Sequence, residues 1–197
     1  MNSSNVNHGL PARKPSLGEH LLLVFVAAAA MIIDQLSKRW VEATIPLGVS
    51  VAPVPFVSPY LTLTNTQNTG AAFSIFQNGG LFFIVVAIIV SALIIYYAPR
   101  LPAGDWISRV AMGLQLAGAM GNLIDRLRQG YVTDFIHLQI PQIGFDWPVS
   151  NVADICIVSG VIILIAITLW RERHEPSSGR NESSKAPADN QEESQQA

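Results

Sequence analysis

The chain has 197 residues, of which 50 % are hydrophobic and only 13 % charged, and its net charge is −2. Soluble domains carry about 25 % charged residues, so the low charge and a mean hydropathy of +0.35 indicate a membrane protein. The near-neutral balance argues against a nucleic-acid partner. A single cysteine, Cys156, rules out an internal disulfide; its apolar setting reads as helix packing rather than a catalytic thiol.

Residues 1–18 are polar and read as a disordered cytoplasmic N-terminus. A spanning helix needs about 20 mostly apolar residues. The first span covers residues 20–42, apolar from Leu21 to Ile33 and continuing through Asp34, Lys38 and Arg39. Arg13 and Lys14 before this run also fit a cleavable signal peptide. The helical character without Gly or Pro up to Pro46 favours a retained span. The outer segment 43–80 follows. In it, Ser50–Val57 reads as extended or edge structure because of its prolines, and Tyr60–Thr66 alternates as a strand does. The second and third spans cover 81–98 and 107–124. The outer segment 125–151 holds a short strand at Tyr131–Leu138, and the fourth span covers 152–170. The four-span unit 19–173 is followed by 174–197, a polar tail with too little apolar surface to fold. The expected fold is an all-α membrane protein: a four-helix transmembrane bundle with a small extracytoplasmic β-sheet.

Orientation follows from Lys and Arg in the short flanks. Arg13, Lys14, Arg100, Arg109, Arg171 and Arg173 lie on one side, whereas Ala43–Gly80 contains no Lys or Arg. Both termini are therefore expected in the cytoplasm. Lys38, Arg39, Arg126 and Arg128 fall on the outer side and require a local explanation.

Between His20 and Trp170 there are seven acids: Asp34, Glu42, Asp105, Asp125, Asp134, Asp146 and Asp154. All except Asp105 fall at or beyond the outer helix ends. Ionisable groups near hydrocarbon are costly unless paired or hydrated, which makes them functional candidates. Helical spacing puts Asp34 with Lys38, Gly118 and Asn122 with Asp125 and Arg126, and Asn151 with Asp154. Gly113, Ala117 and Gly121 form a row of small residues that permits close helix approach. Simpler readings stand beside these. Asp34–Lys38 and Asp125 with Arg126 or Arg128 also fit interfacial ion pairs, and Asn151 fits a helix N-cap with Asp154 as its capping-box partner. Glu42 and Asp146 share no stripe and read as solvated.

The scattered histidines His8, His20, His137 and His174 offer no metal-ligand set, and no cofactor is expected. Ser–His–Asp chemistry through His137 lacks a nucleophile elbow, and Ser–Lys chemistry through Lys38 stays open on spacing. Two carboxylates sharing one proton are the economical solution. A proton- or ion-relay protein using Asp34, Asp125 and Asp154 is the alternative, but Ile107–Leu123 and Ile155–Trp170 contain no acid. A non-catalytic scaffold is the third reading.

Five motifs carry a resemblance. They are Asp34-Gln35-x-x-Lys38, Asn68-Thr69-Gly70-Ala71-Ala72-Phe73-Ser74, Gly118 to Arg126 (GAMGNLIDR), Val132-Thr133-Asp134-Phe135-Ile136, and Asn151-Val152-Ala153-Asp154. In this order, over roughly residues 20–170, the chain resembles the bacterial lipoprotein signal peptidases, the type II signal peptidases. The resemblance implies an aspartic endopeptidase of the bacterial inner membrane that cleaves before a cysteine carrying diacylglycerol. By the match, Asp134 and Asp154 are the catalytic pair. Asp34, Asn68, Gly118, Asn122, Arg126 and Asn151 bind substrate or support the pair, while Lys38 and Asp125 look structural, the latter as a partner of arginine. The implied partners are a diacylglyceryl-modified prolipoprotein and membrane lipid, with the enzyme a monomer. One departure is visible: the family usually has Phe before the last Asn, and here that position is Ser150.

Overall fold

The computed structural model describes residues 13–70 and 79–174. Among them are four long helices: α1 (Leu17–Thr44), α2 (Gly79–Tyr97), α3 (Trp106–Gln129) and α4 (Val152–His174). The expected N-terminal disorder falls partly, and the C-terminal tail almost wholly, outside the described residues. Helix α1 starts inside the stretch read as unstructured. Ser16 closes a capping box with Glu19, a local signal that the apolar pattern alone does not register.

Among the described residues, three helices are long and apolar enough to cross a membrane: Leu17–Thr44, Gly80–Arg100 and Val152–His174. Their outward faces carry large exposed apolar side chains such as Phe25, Ile95 and Ile162. Helix α3 is different. It packs against α1, α2 and α4 and buries Ala111, Gly113, Ala117, Gly118, Ala119, Gly121, Asn122 and Asp125. A helix surrounded by protein needs small and polar surfaces rather than a lipid-facing one.

The small-residue row has a direction. A Cβ at Gly113 would lie 2.9 Å from the Leu23 carbonyl oxygen, and one at Gly121 would lie 2.5 Å from Asp34 Oδ2. Those glycines let α1 approach. Gly118 serves α4 instead, since its missing Cβ would collide with the Ala153 carbonyl oxygen and with Ile157.

At one end of the bundle, Glu19 accepts the Gly104 N–H at 2.7 Å. Buried Arg109 donates to the carbonyls of Leu101, Pro102 and Asp105. At the other end sits a four-stranded antiparallel sheet in the order β1 (Ser50–Val51), β2 (Leu61–Asn68), β3 (Val132–Ile140), β4 (Phe145–Asp146). The extended stretch after Ser50 is shorter as a strand than expected. Pro53 and Pro55 have no N–H to give a ladder, and Pro55–Val57 is a single 3-10 turn.

Strands β2 and β3 change register between Leu63 and Thr66. Leu63 opposes Ile136, yet Thr66 opposes Asp134, so β2 carries one extra residue. A bulge of this kind switches which side chains face which surface. Beyond it, Asn68 lies on the same face as Asp134. Asn65 sits in the bulge, buried, and donates to the Ile45 carbonyl at 2.7 Å, tying the sheet to the end of α1.

Candidate active site

The sheet end of the bundle gathers most of the polar residues singled out above. Asp134 lies in β3 and is 2 % exposed. Its Oδ1 accepts from Asn151 Nδ2 at 2.5 Å and its Oδ2 from Asn68 Nδ2 at 2.9 Å. Asn68 is the diagonal neighbour of Asp134 across the strand pair, a position within reach of such a side chain. Its own Oδ1 accepts the Gly70 N–H at 2.8 Å, which folds the chain into a turn after β2. The Ala71–Ser74 part of that motif lies outside the described residues.

Asp154 opens the first turn of α4. Its N–H donates to Asn151 Oδ1 at 2.9 Å, so Asn151 is the N-cap that the spacing suggested. The capping-box half of that reading is not met: the Asp154 carboxylate turns to Asn122, whose Nδ2 donates to Oδ1 at 2.8 Å. One amide, Asn151, thus holds both the Asp134 carboxylate and the Asp154 backbone.

Burial pushes the Asp134 carboxyl up to about 6; nearby Asp154 adds to this, and the bonds from Asn68 and Asn151 oppose it. A carboxyl so tuned exists protonated and ionised in comparable amounts at mildly acidic pH, as proton transfer requires.

Ser150, the departure from the family pattern, acts through its backbone. Its carbonyl accepts the N–H groups of Phe135 at 2.8 Å and Ile136 at 2.7 Å, and its own N–H donates to the Ile136 carbonyl. The segment entering α4 is thereby stitched to the strand carrying Asp134.

Several expectations need correction. Asp125 does not pair with an arginine: its partner is Lys38, 2.9 Å away, and it also accepts from Gln35 at 3.0 Å. Arg128 pairs instead with Glu42 at 3.0 Å. Glu42 is consequently not simply solvated, because it also accepts from Thr133 Oγ1 at 2.5 Å. The α1 stripe missed this contact, since both partners come from elsewhere in the chain. Asp146 is exposed, and it meets His137 across the sheet at 2.6 Å.

The remaining residues fall into two groups. Asp34 and Asn151 are 1 % and 0 % exposed, and the contacts they make are to the protein itself. Asp34 accepts the Ala153 N–H at 2.9 Å and pairs with Lys38, while Gly118 provides the close approach to Ala153. Arg126 is half-buried over the Phe83 ring at 4.9 Å. It donates to the Asn122 carbonyl at 3.3 Å, lies within Coulombic reach of Asp154 and Asp134, and has no partner for its Nε among the described residues. Among the described residues no group of His, Cys, Asp and Glu side chains is arranged to hold a metal ion.

Two aspartates bridged by one amide at the end of an apolar helical bundle are compatible with an aspartic hydrolase working at a membrane. Comparison with known proteins agrees. The family described as Signal peptidase (SPase) II matches residues 26–170. Lipoprotein signal peptidases of Streptococcus pyogenes serotypes M2 and M5 are 40 % identical over 151 residues, 77 % of this chain and 94 % of each relative. Two solved bacterial membrane enzymes, determined by the in meso method at 2.3 and 1.9 Å, superpose with TM-scores of 0.69 and 0.68. They are 32 % and 34 % identical to this chain and cover 85 % and 81 % of it, which is 98 % of each of theirs. The chain belongs to the signal peptidase II family. It is accordingly an aspartic protease of lipoprotein processing and a multi-pass membrane protein.

Proposed function

We propose that the chain cleaves diacylglyceryl-modified prolipoproteins just before the lipidated cysteine, with Asp134 and Asp154 as the catalytic pair. The observation that carries this reading is the Asn151 side chain, which binds the Asp134 carboxylate and the Asp154 N–H together. The pair shares one proton. The ionised carboxylate takes a proton from water, the resulting nucleophile attacks the scissile carbonyl, and the protonated carboxyl donates to the carbonyl oxygen. Collapse of the tetrahedral intermediate then transfers a proton to the leaving amine, and both product peptides depart. Asn68, Asn122 and Asn151 hold the carboxylates. Asp34 and Gly118 support the start of α4, and Arg126 binds substrate through a positive charge that lies within Coulombic reach of both carboxylates.

We further propose that α3 is a fourth span, shielded from lipid by its neighbours, with both termini in the cytoplasm and the sheet on the outer face. There the lipid-modified cysteine meets the pair while the apolar signal helix stays in lipid against the bundle. All the site residues come from one chain, which fits a working monomer.

The test is processing in the membrane and with purified enzyme. Asp134→Asn and Asp154→Asn should accumulate uncleaved precursor while the protein still inserts. Normal cleavage by either variant overturns the pair. Cysteine-accessibility labelling on both sides of the membrane checks the orientation: labelling of residue 56 only from the cytoplasm would reverse it.

A further inference from the structure

The Lys38 side chain is 1 % exposed in the middle of the polar cluster, on the helix that contributes neither of the paired carboxylates. An ammonium group has three donors, and this one has three acceptors. They are Asp34 Oδ2, Asp125 Oδ2 and Asn122 Oδ1, each at 2.9 Å. Each acceptor reaches on to the neighbourhood of a catalytic aspartate. Asp34 Oδ1 accepts the N–H of Ala153, the residue before Asp154, at 2.9 Å. Asp125 Oδ2 accepts the N–H of Thr133, the residue before Asp134, at 3.4 Å. Asn122 donates directly to Asp154 at 2.8 Å.

The Asn122 contact has a particular consequence. A side-chain amide has an accepting end and a donating end. With its oxygen held by the ammonium, Asn122 has only its NH2 to offer Asp154. Flipped over, it would set donor against donor at Lys38 and acceptor against carboxylate at Asp154. The charge of Lys38 therefore dictates which end of the amide the carboxylate meets.

Resting on the assignment of Asp134 and Asp154 as the catalytic pair, we propose that Lys38 is a positioning residue that sets both carboxylates from one point, through Asp34, Asn122 and Asp125. This goes beyond an ion pair that anchors a helix end. Three links converge on Lys38, and they lead to β3 and α4, the two elements that carry the pair. Its positive charge also favours ionisation of Asp134, whereas the neighbouring Asp154 on α4 opposes it; the other charged groups facing this cluster are Asp34 on α1 and Asp125 and Arg126 on α3.

Lys38→Met tests the proposal in the full-length chain, purified in lipid-supplemented micelles and assayed with a diacylglyceryl-modified precursor peptide. Misplacing a reacting group by about 1 Å can cost on the order of 100-fold in rate. The expected result is a kcat loss of that size, a KM within about threefold of wild type, and movement of the Asp134 limb of the pH profile to higher pH. Removing the cation leaves two buried carboxylates unpaired, so a second variant covers loss of folding. The triple change Asp34→Asn, Lys38→Met, Asp125→Asn leaves no charge at those three positions. It should fold and still show the kcat loss.

A folded Lys38→Met or triple variant with wild-type kcat overturns the proposal, as does a loss confined to KM. Asp134→Asn, run in parallel, separates the two ideas. If it is active, the catalytic pair is wrong; if it is inactive while the folded Lys38 variants work normally, only the role of Lys38 fails.

Discussion

Asn151 Nδ2 lies 2.5 Å from Asp134 Oδ1, and neither residue has more than 2 % of its surface exposed. The same amide caps α4. Loss of an N-cap costs about 1 kcal/mol, and leaving a buried acceptor unpaired costs about 1–3 kcal/mol more. Asn151→Ala should therefore lower the melting temperature in detergent and reduce kcat by roughly 100-fold, since Asp134 and Asp154 lose their common support. A variant that is destabilised yet turns over at the wild-type rate would show that the amide serves the helix only.

The pH dependence follows from Asp134. Its carboxyl is raised from 3.8 to about 6, first by burial and then by the neighbouring Asp154. The folded state thus holds this proton more tightly than the unfolded chain does. The resulting stabilisation is complete below about pH 3.8 and is lost as pH rises through about 6. Asp134→Asn should consequently gain stability over wild type as pH is raised from 4 to 7 (a shift of this size is worth on the order of 3 kcal/mol). In kcat/KM the limb belonging to Asp134 should lie near pH 6. In kcat it should move higher, because a bound apolar substrate removes further water. A melting difference that stays constant with pH would contradict this origin of the shift.

Gly118 is a packing position with a catalytic readout. A methyl group there would run into the Ala153 carbonyl and the Ile157 side chain. Gly118→Ala should cost about 1–3 kcal/mol through overpacking, and it should slow cleavage by displacing the turn that carries Asp154. Gly130→Ala is the matched control. Its φ of +84° makes a side chain strained, but beyond its chain neighbours no atom of the described residues lies within 4 Å of the added carbon, so its stability should fall with little change in kcat.

At Ser150 the contacts that matter are made by the backbone: two N–H groups of β3 donate to its carbonyl. Ser150→Phe, which restores the usual family residue, should keep cleavage within about threefold, because the ladder does not depend on the side chain. A large loss measured in the peptide assay would mean that the hydroxyl contact to Ile136, 3.4 Å long, matters more than its length suggests.

The apolar runs made α1, α2 and α4 legible, because lipid-facing surface is written directly into composition. Helix α3 was legible as a helix, but its surroundings were not. Its Asn122 and Asp125 are buried by other elements, and a periodicity count sees only their spacing. The Asn151 cap and the Asp34–Lys38 pair could be read because they are local, three or four residues apart. The Asp125–Lys38 and Glu42–Thr133 contacts span 87 and 91 residues and left no local trace. Nor did the β2 bulge, which depends on how the partner strand is offset. It decides that Asn68, rather than Gln67, shares a face with Asp134.

The Ser150 carbonyl, with its two N–H donors from β3, makes the strand of Asp134 and the helix of Asp154 a single mechanical piece. Prying the carboxylates apart would break backbone pairing. A compound that blocks this enzyme therefore gains more by filling the space in front of a fixed pair than by wedging it open. Resistance through altered spacing of the pair would require a change that weakens the fold along with the inhibitor.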